Sequence, residues 1–191
     1  NNILNTSWTN DGENFSDRIW KRKDKLLNTL DTELRQGLIT GKRPDEITKV
    51  ISDKLEVSKS NAKRLVLTES SAVHSQSRKA MYERMGVEKY EVVATLDLRT
   101  SDICRKLDGK VFDVKDYERG VTAPPFHVYC RSTTVPYYND DIQADIENTR
   151  MARDPETGKS IRVEKLTYNE WYDKYVLEYN DKKEYENIVS I

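Results

Sequence analysis

The sequence is poor in cysteine, glycine and histidine, and it contains no long apolar run. Its 191 residues include two cysteines, seven glycines and two histidines. Two cysteines are too few for the disulfide framework of a small secreted protein, so a reducing intracellular setting is the simpler expectation. No stretch approaches the roughly 20 consecutive apolar residues of a membrane helix, and no charged-then-apolar leader opens the chain. The sequence therefore predicts neither a membrane span nor a secretion signal.

Several enzyme signatures are also missing from the sequence. It contains no P-loop, no glycine-rich dinucleotide fingerprint, no H-E-x-x-H pair and no G-x-S-x-G elbow. Each of these motifs places a phosphate, a metal or a nucleophile in a defined local structure. Their absence argues against nucleotide-dependent enzymes, zinc proteases and serine hydrolases of the usual kinds.

Charge and aromatic residues are abundant instead. Charged residues make up 34% of the chain, and eleven tyrosines help to supply the apolar surface of a folded domain. The net charge of -1 conceals an asymmetry, because residues 16–90 carry 17 Lys and Arg against 11 Asp and Glu, whereas residues 91–191 carry 15 against 20. A basic half of this kind could meet nucleic acid, although solvated helix surfaces explain it equally simply. The candidate phosphate contacts are Lys21, Arg22, Lys23, Lys25, Lys63 and Arg64.

The first half of the chain has the apolar spacing of three helices. Ser16 is expected to cap the first helix, which Gly41 ends. Pro44, followed by two acidic residues, marks the start of a second helix that extends to about Leu55. A third and longer helix is predicted from about Ser58 to Met85. Its expected buried stripe consists of Ala62, Leu65, Val66, Glu69, Ala72, Val73, Gln76 and Ala80.

From Tyr90 onwards the apolar period changes to two, which is typical of half-buried strands. Strands are expected at residues 90–96, 110–112 and 132–137, and Pro136 places the last of these at a sheet edge. A turn at 154–159 separates two short extended pieces, and Thr167 with Glu170 forms a capping box that opens an aromatic C-terminal helix. The predicted fold class is α+β: N-terminal helices, one of them long, packed on a small mixed or antiparallel sheet, plus a C-terminal helix.

The predicted domain organisation follows from these elements. Residues 1–15 are expected to be an extended lead-in, residues 16–180 one domain, and residues 181–191 a flexible tail. Within the domain we expect a helical part (16–88), a small α/β part (89–137) and a C-terminal arm (138–180).

Cys104, His127 and Cys130 are the candidate site residues of the α/β part. A structural zinc usually has four ligands, and the position three residues before Cys104 is Ser101, so a metal would need Asp97, Asp102 or water to complete it. The sequence favours buried free thiols over a disulfide, and both over zinc, and it predicts no cofactor. A thiol nucleophile with His127 as base and Asp97 as orienting group is a further alternative.

Charged residues around this block are expected to form a structural ionic network. A carboxylate that faces a core costs several kcal/mol unless it is paired, so Glu69 on the long helix needs a partner. Arg99 and Arg131 flank the block and are the natural counter-ions of the nearby acids. The predicted network consists of Glu69, Asp97, Arg99, Asp102 and Arg131.

The same block carries a resemblance to a known family. The segments TLDLRTSDIC, LDGKVF and GVTAPPFHVYCRSTTVPY, with RLVLTESSAVHSQSRKAMYERMGVEKYE before them and RMARDPETGK and LTYNEWYDKY after them, resemble the phage Mu F-like head morphogenesis family. These are minor capsid proteins of tailed bacteriophages, and the resemblance covers roughly residues 8–176. Some relatives have cysteine where this chain has Ser101, which would make a fuller zinc-like cluster.

The resemblance implies a non-enzymatic virion protein. It implies a low-copy component of the portal vertex that acts in capsid assembly and in DNA packaging or ejection, in a phage or a prophage. Its partners would be the portal protein, other head proteins and double-stranded DNA, and it would pass through the host cytoplasm during assembly. The alternative reading is a thiol-dependent hydrolase, or a toxin-delivery module, that uses Cys104 and His127.

Overall fold

Three helices form the N-terminal part of the chain: α1 (Phe15–Thr40), α2 (Pro44–Leu55) and α3 (Lys59–Met85). The structure is a computed structural model that describes residues 15–138 and 149–181, with side chains from residue 23. Helix α1 begins one residue before Ser16, so Ser16 lies inside the helix and the predicted cap position is wrong. The expected lead-in and tail lie outside the described residues, except for Phe15 and Asp181, which both belong to helices.

The chain divides into two compact units: the first ends at Ser70 and the second begins at Ser71. This boundary lies within α3, whereas the sequence analysis placed the change from the helical to the mixed part at residue 88. The first unit has its own core of apolar side chains from α1, α2 and α3: Leu34, Ile47, Ile51, Ala62 and Val66.

Helices α1 and α2 approach closely at Gly37. A β-carbon added there would lie 2.4 Å from Cδ1 of Ile47, which is buried. Pro44 stands at the start of α2 with Asp45 and Glu46 in its first turn, and both the start and the end of this helix agree with the prediction.

The second unit contains a three-stranded antiparallel sheet in the order β2–β1–β3. Its strands are β1 (Lys89–Val93), β2 (Val111–Asp113) and β3 (Thr133–Tyr137), so the three predicted strands and the edge position of Pro136 are confirmed. Tyr90 at the centre is paired with Phe112 on one side and with Pro136 on the other. The C-terminal half of α3 packs here through Tyr82, whose hydroxyl hydrogen-bonds the Thr134 hydroxyl at 3.1 Å.

The short helix α4 (Asp102–Leu107) lies between β1 and β2, and a hairpin and a further helix complete the second unit. The strands β4 (Thr149–Arg153) and β5 (Ser160–Glu164) are antiparallel, and Leu96 bridges to Ala152. Helix α5 (Tyr168–Trp171) continues as one stretch of π-helix over residues 172–177. The predicted capping box is present between Thr167 and Glu170. The fold is therefore α+β, as predicted, and none of the helices in the described ranges has the length and apolar character required to cross a membrane.

Candidate functional site

A short helix that the sequence analysis did not predict, α4 (Asp102–Leu107), positions the first cysteine of the candidate site. Cys104 lies in its first turn and is 2% exposed, and Ser101 immediately precedes the helix. Because residues three apart share one face of a helix, the side chains of Ser101 and Cys104 point the same way. Arg105 holds the preceding loop in place, since its Nε donates to the carbonyl oxygen of Thr100 at 2.7 Å.

A tight turn positions the other two candidate residues. The amide of Cys130 donates to the carbonyl oxygen of His127 at 3.1 Å, and Tyr129 between them has φ of 61°. A positive φ at the third residue is what a type II turn requires, and a non-glycine residue adopts it at a steric cost. The turn leaves Val128 and Tyr129 exposed at its crest, while its two ends face the domain interior.

The three candidate side chains meet at one point between α4 and this turn. The Cys104 Sγ atom lies 3.8 Å from the Cys130 Sγ and 3.1 Å from Nε2 of His127. The Ser101 hydroxyl oxygen lies 2.8 Å from the same Nε2. Both cysteines are buried and form no disulfide with each other.

The tautomer of His127 follows from its second hydrogen bond. Nδ1 lies 2.7 Å from the carbonyl oxygen of Val128. A carbonyl oxygen only accepts, so Nδ1 carries a proton and donates it, and in the neutral imidazole this leaves a lone pair on Nε2. That lone pair is directed at Ser101 and Cys104.

The two thiols differ strongly in acidity because they share one hydrogen bond. With the Cys104 thiol donating, the pKa of Cys130 falls to about 5, and the backbone N–H groups of Phe126 and Ser132 help to stabilise its thiolate. The same hydrogen bond, together with burial, raises the pKa of Cys104.

Next to the cluster, Asp97 and Arg131 form a two-point ion pair. Arg131 donates from Nη2 to Oδ1 of Asp97 at 2.8 Å and from Nη1 to the other carboxylate oxygen. Burial alone would raise the pKa of Asp97, but the hydrogen bonds and charge of Arg131, with smaller contributions from Thr100 and Arg99, lower it overall. The Asp97 side chain is 5% exposed, so removing its partner would leave a buried charge.

The other members of the predicted ionic network have weaker or different contacts. Arg99 approaches Asp97 at 3.9 Å from an exposed position. Asp102 pairs with Arg105 on its own helix at 3.5 Å. Glu69 is half-buried and forms no ion pair within the described part of the chain.

A second buried ion pair, Asp108 with Arg150, was missed by the sequence analysis. Both carboxylate oxygens lie 3.0 Å from guanidinium nitrogens, and the Asp108 side chain has no exposed surface. The same carboxylate accepts hydrogen bonds from the amides of Ala94 and Tyr168, each at 2.6 Å. An Asp-Gly dipeptide usually indicates an exposed turn, so no local signal distinguished this aspartate from a surface residue.

The candidate DNA-contacting residues all lie on helices of the first unit. Lys21 and Arg22 are in α1, outside the described side chains, while Lys23 and Lys25 on α1 are exposed. On α3, Arg64 is exposed, and Lys63 is exposed with its ammonium 3.9 Å from Asp45.

The second unit is a small α+β domain that contains two ion pairs with buried carboxylates and a cluster of two buried cysteines with a half-buried histidine. A model of the family described as Phage Mu protein F like protein matches residues 28–135. The match covers more than half of the chain, which therefore belongs to this family, as its sequence motifs predicted.

Curated relatives carry two different descriptions. The chain is 25% identical over 166 residues to the minor head protein GP7 of Bacillus phage SPP1, a match that covers 79% of this chain and 52% of that protein. It is 28% identical over 175 residues to the NAD(+)–arginine ADP-ribosyltransferase EFV of Enterococcus faecalis, covering 84% of this chain and 34% of that protein. The chain thus spans about a third to a half of these relatives. No solved structure matches it significantly.

Proposed function

We propose that this chain is a minor head protein, a low-copy virion component that acts at the portal vertex in capsid assembly and in DNA packaging or ejection. The observation that carries the proposal is its membership of the Phage Mu F-like family, together with its similarity to a minor head protein over 79% of its length. During assembly it would be present in the host cytoplasm, and its partners would be the portal and other head proteins.

The structure of the second unit supports a binding role. Asp97 with Arg131 ties the segment after β1 to the residues before β3, and Asp108 with Arg150 ties the segment after α4 to the hairpin, each through a two-point contact with a buried carboxylate. Broken buried ion pairs are strongly destabilising, so such ties hold the surface of a domain in one conformation. A rigid surface suits a protein that must fit a fixed position in a particle.

The burial of both sulfurs weighs against the thiol hydrolase. Cys104 and Cys130 are 2% and 6% exposed. A thiolate must reach its substrate to act as a nucleophile, and buried structural cysteines are inert. Labelling by a thiol-reactive probe at neutral pH that disappears in His127→Ala would support the hydrolase instead.

The relative named as an ADP-ribosyltransferase does not assign that activity to this chain. The match covers 34% of that protein, so about two thirds of it lies outside the match. The matched third is consistent with a shared delivery or assembly module beside a separate catalytic part. We therefore propose that the described domain is not itself an enzyme.

Composition of purified particles tests the proposal directly. Quantitative mass spectrometry of particles from the phage or prophage that encodes this chain should detect it in far fewer copies than the major capsid protein. Co-expression with the portal protein should give a complex that elutes together in size-exclusion chromatography. Absence from intact particles, together with separate elution, would contradict the proposal.

A contact with packaged DNA is the second part of the proposal. The exposed lysine and arginine side chains on α1 and α3 could neutralise phosphates without reading bases. Such binding would be non-specific and strongly salt-dependent.

A further inference from the structure

The ligand atoms of Cys104, His127 and Cys130 lie close enough together to bind one metal ion. They all lie within 4.8 Å of one another. Tetrahedral zinc with Zn–S bonds of about 2.3 Å holds two sulfurs about 3.8 Å apart. The observed separation of the Cys104 and Cys130 sulfurs is 3.8 Å. A disulfide would require about 2.05 Å.

The imidazole of His127 is held as a metal ligand would be. Its Nδ1–H donates to the backbone carbonyl of Val128 at 2.7 Å, which fixes the tautomer and the ring orientation. Histidines that ligate metals almost always donate their other ring N–H to such an acceptor. The free Nε2 lone pair then faces the sulfurs.

Two groups approach this lone pair. The Ser101 hydroxyl oxygen lies 2.8 Å from Nε2 and the Cys104 sulfur lies 3.1 Å from it. A cation bound by Nε2 and the two sulfurs would take the place of these hydrogen bonds, and the Ser101 oxygen would be a further candidate ligand.

We propose that Cys104, Cys130 and His127 bind a zinc ion, with the Ser101 hydroxyl on the fourth side. Two thiolates and one imidazole are borderline-soft ligands that suit zinc, whereas magnesium and calcium take oxygen ligands. The carboxylate of Asp97 is engaged by Arg131. The sequence ranked free thiols ahead of zinc; the geometry reverses that order.

The ion would act as a structural link. Its ligands come from α4 and from the turn at residues 127–130, two segments that are otherwise 23 residues apart in the chain. Because the binding site exists only in the folded chain, zinc would stabilise the second unit. This inference does not depend on the role in a phage head.

Metal content and cobalt substitution test the site on the full 191-residue chain. Protein purified without chelators should contain one zinc per chain by mass spectrometry. After exchange to cobalt(II), its visible spectrum should show intense tetrahedral bands and a thiolate-to-metal charge-transfer band. Cys104→Ser, Cys130→Ser and His127→Gln should lower the zinc content at least tenfold, whereas His74→Gln, which changes the exposed histidine of α3, should leave it unchanged.

Ser101→Cys keeps the proposal testable if the loss variants fail to fold. A third thiolate on the fourth side should lower the zinc dissociation constant, measured by competition with a chromophoric chelator, by at least about tenfold. Equal affinity in this variant would overturn the assignment of Ser101. Wild-type protein with no zinc, with a Cys104–Cys130 disulfide, or without the cobalt charge-transfer band would overturn the site itself.

Discussion

The carboxylate of Asp108 and the guanidinium of Arg150 form a buried two-point ion pair at the place where three segments of the second unit meet. Arg150 also donates to the carbonyl oxygens of Ala94 and Leu166, and Asp108 accepts from the amide of Tyr168. The pair therefore connects the end of β1, the hairpin and the start of α5. The Asp108 side chain has no exposed surface, whereas that of Arg150 is 13% exposed, so the carboxylate has no access to water in the folded domain.

We expect Arg150→Ala to lower the free energy of unfolding by about 3–5 kcal/mol, because it leaves the Asp108 carboxylate buried and unpaired. Urea denaturation followed by circular dichroism measures the change. Arg153→Ala is a matched control on the same strand, and its exposed guanidinium should contribute less than about 0.5 kcal/mol. Equal effects of the two variants would show that Arg150 behaves as a surface residue.

The pair of Asp97 and Arg131 should make stability depend on pH. The folded domain lowers the pKa of Asp97, so the unfolded chain binds its proton more readily. The pair then stabilises the fold above the unfolded pKa, and this contribution is lost as pH falls through the folded pKa. Asp97→Asn should therefore destabilise the protein at neutral pH, and the difference from wild type should shrink in acid.

Urea titrations from about pH 7 down to about pH 2 follow that difference. Asp102→Asn serves as the control, since the Asp102 side chain is 85% exposed and pairs with Arg105 on its own helix. A difference between wild type and Asp97→Asn that stays constant with pH would contradict the prediction.

Gly37→Ala should destabilise the first unit even though alanine favours helices. The helical gain is at most about 1 kcal/mol, whereas overpacking a core costs about 1–3 kcal/mol. The new methyl group would lie 2.4 Å from Cδ1 of Ile47. Ile47→Val removes that carbon, so in a double-mutant cycle the two changes should be less harmful together than their sum. Additive changes in the free energy of unfolding would show that α1 and α2 move apart at little cost and that the added methyl group does not clash with Ile47.

DNA binding, if it uses the first unit, should weaken when that unit loses positive charge. Lys25→Glu combined with Arg64→Glu should reduce affinity for duplex DNA, and each lost phosphate contact should lower the slope of log affinity against log salt by about 0.9. Lys106→Glu with Lys110→Glu makes the same change in net charge at exposed positions of the second unit. Equal losses of DNA affinity in both variants would indicate that the overall charge of the protein attracts the DNA and that no specific surface binds it.

Elements whose signals are local were predicted well from the sequence. Pro44 with its acidic neighbours determined the start of α2, and Thr167 with Glu170 determined the start of α5, because each signal acts within one helical turn. The strands were found for a similar reason, since alternation of apolar residues reports directly on a half-buried strand.

Features that depend on distant partners were not predicted. On α3 the expected stripe included Val73 and Gln76, which are exposed, while Ser75 and Tyr82 are buried. Ser75 is buried because its hydroxyl pairs with that of Tyr117, 42 residues away. The sequence indicated that Cys104 and His127 could lie close together. Helix α4 and the tautomer of His127 could not be predicted, since both depend on tertiary contacts.

The turn at residues 127–130 exposes an apolar side chain above an anchored backbone. Val128 is 52% exposed, while on either side of the crest the amide of Cys130 donates to the carbonyl oxygen of His127. A substitution of Val128 that keeps the backbone conformation would change the exposed surface of the turn and leave that hydrogen bond in place. Sequence variation at this position should therefore have little effect on folding.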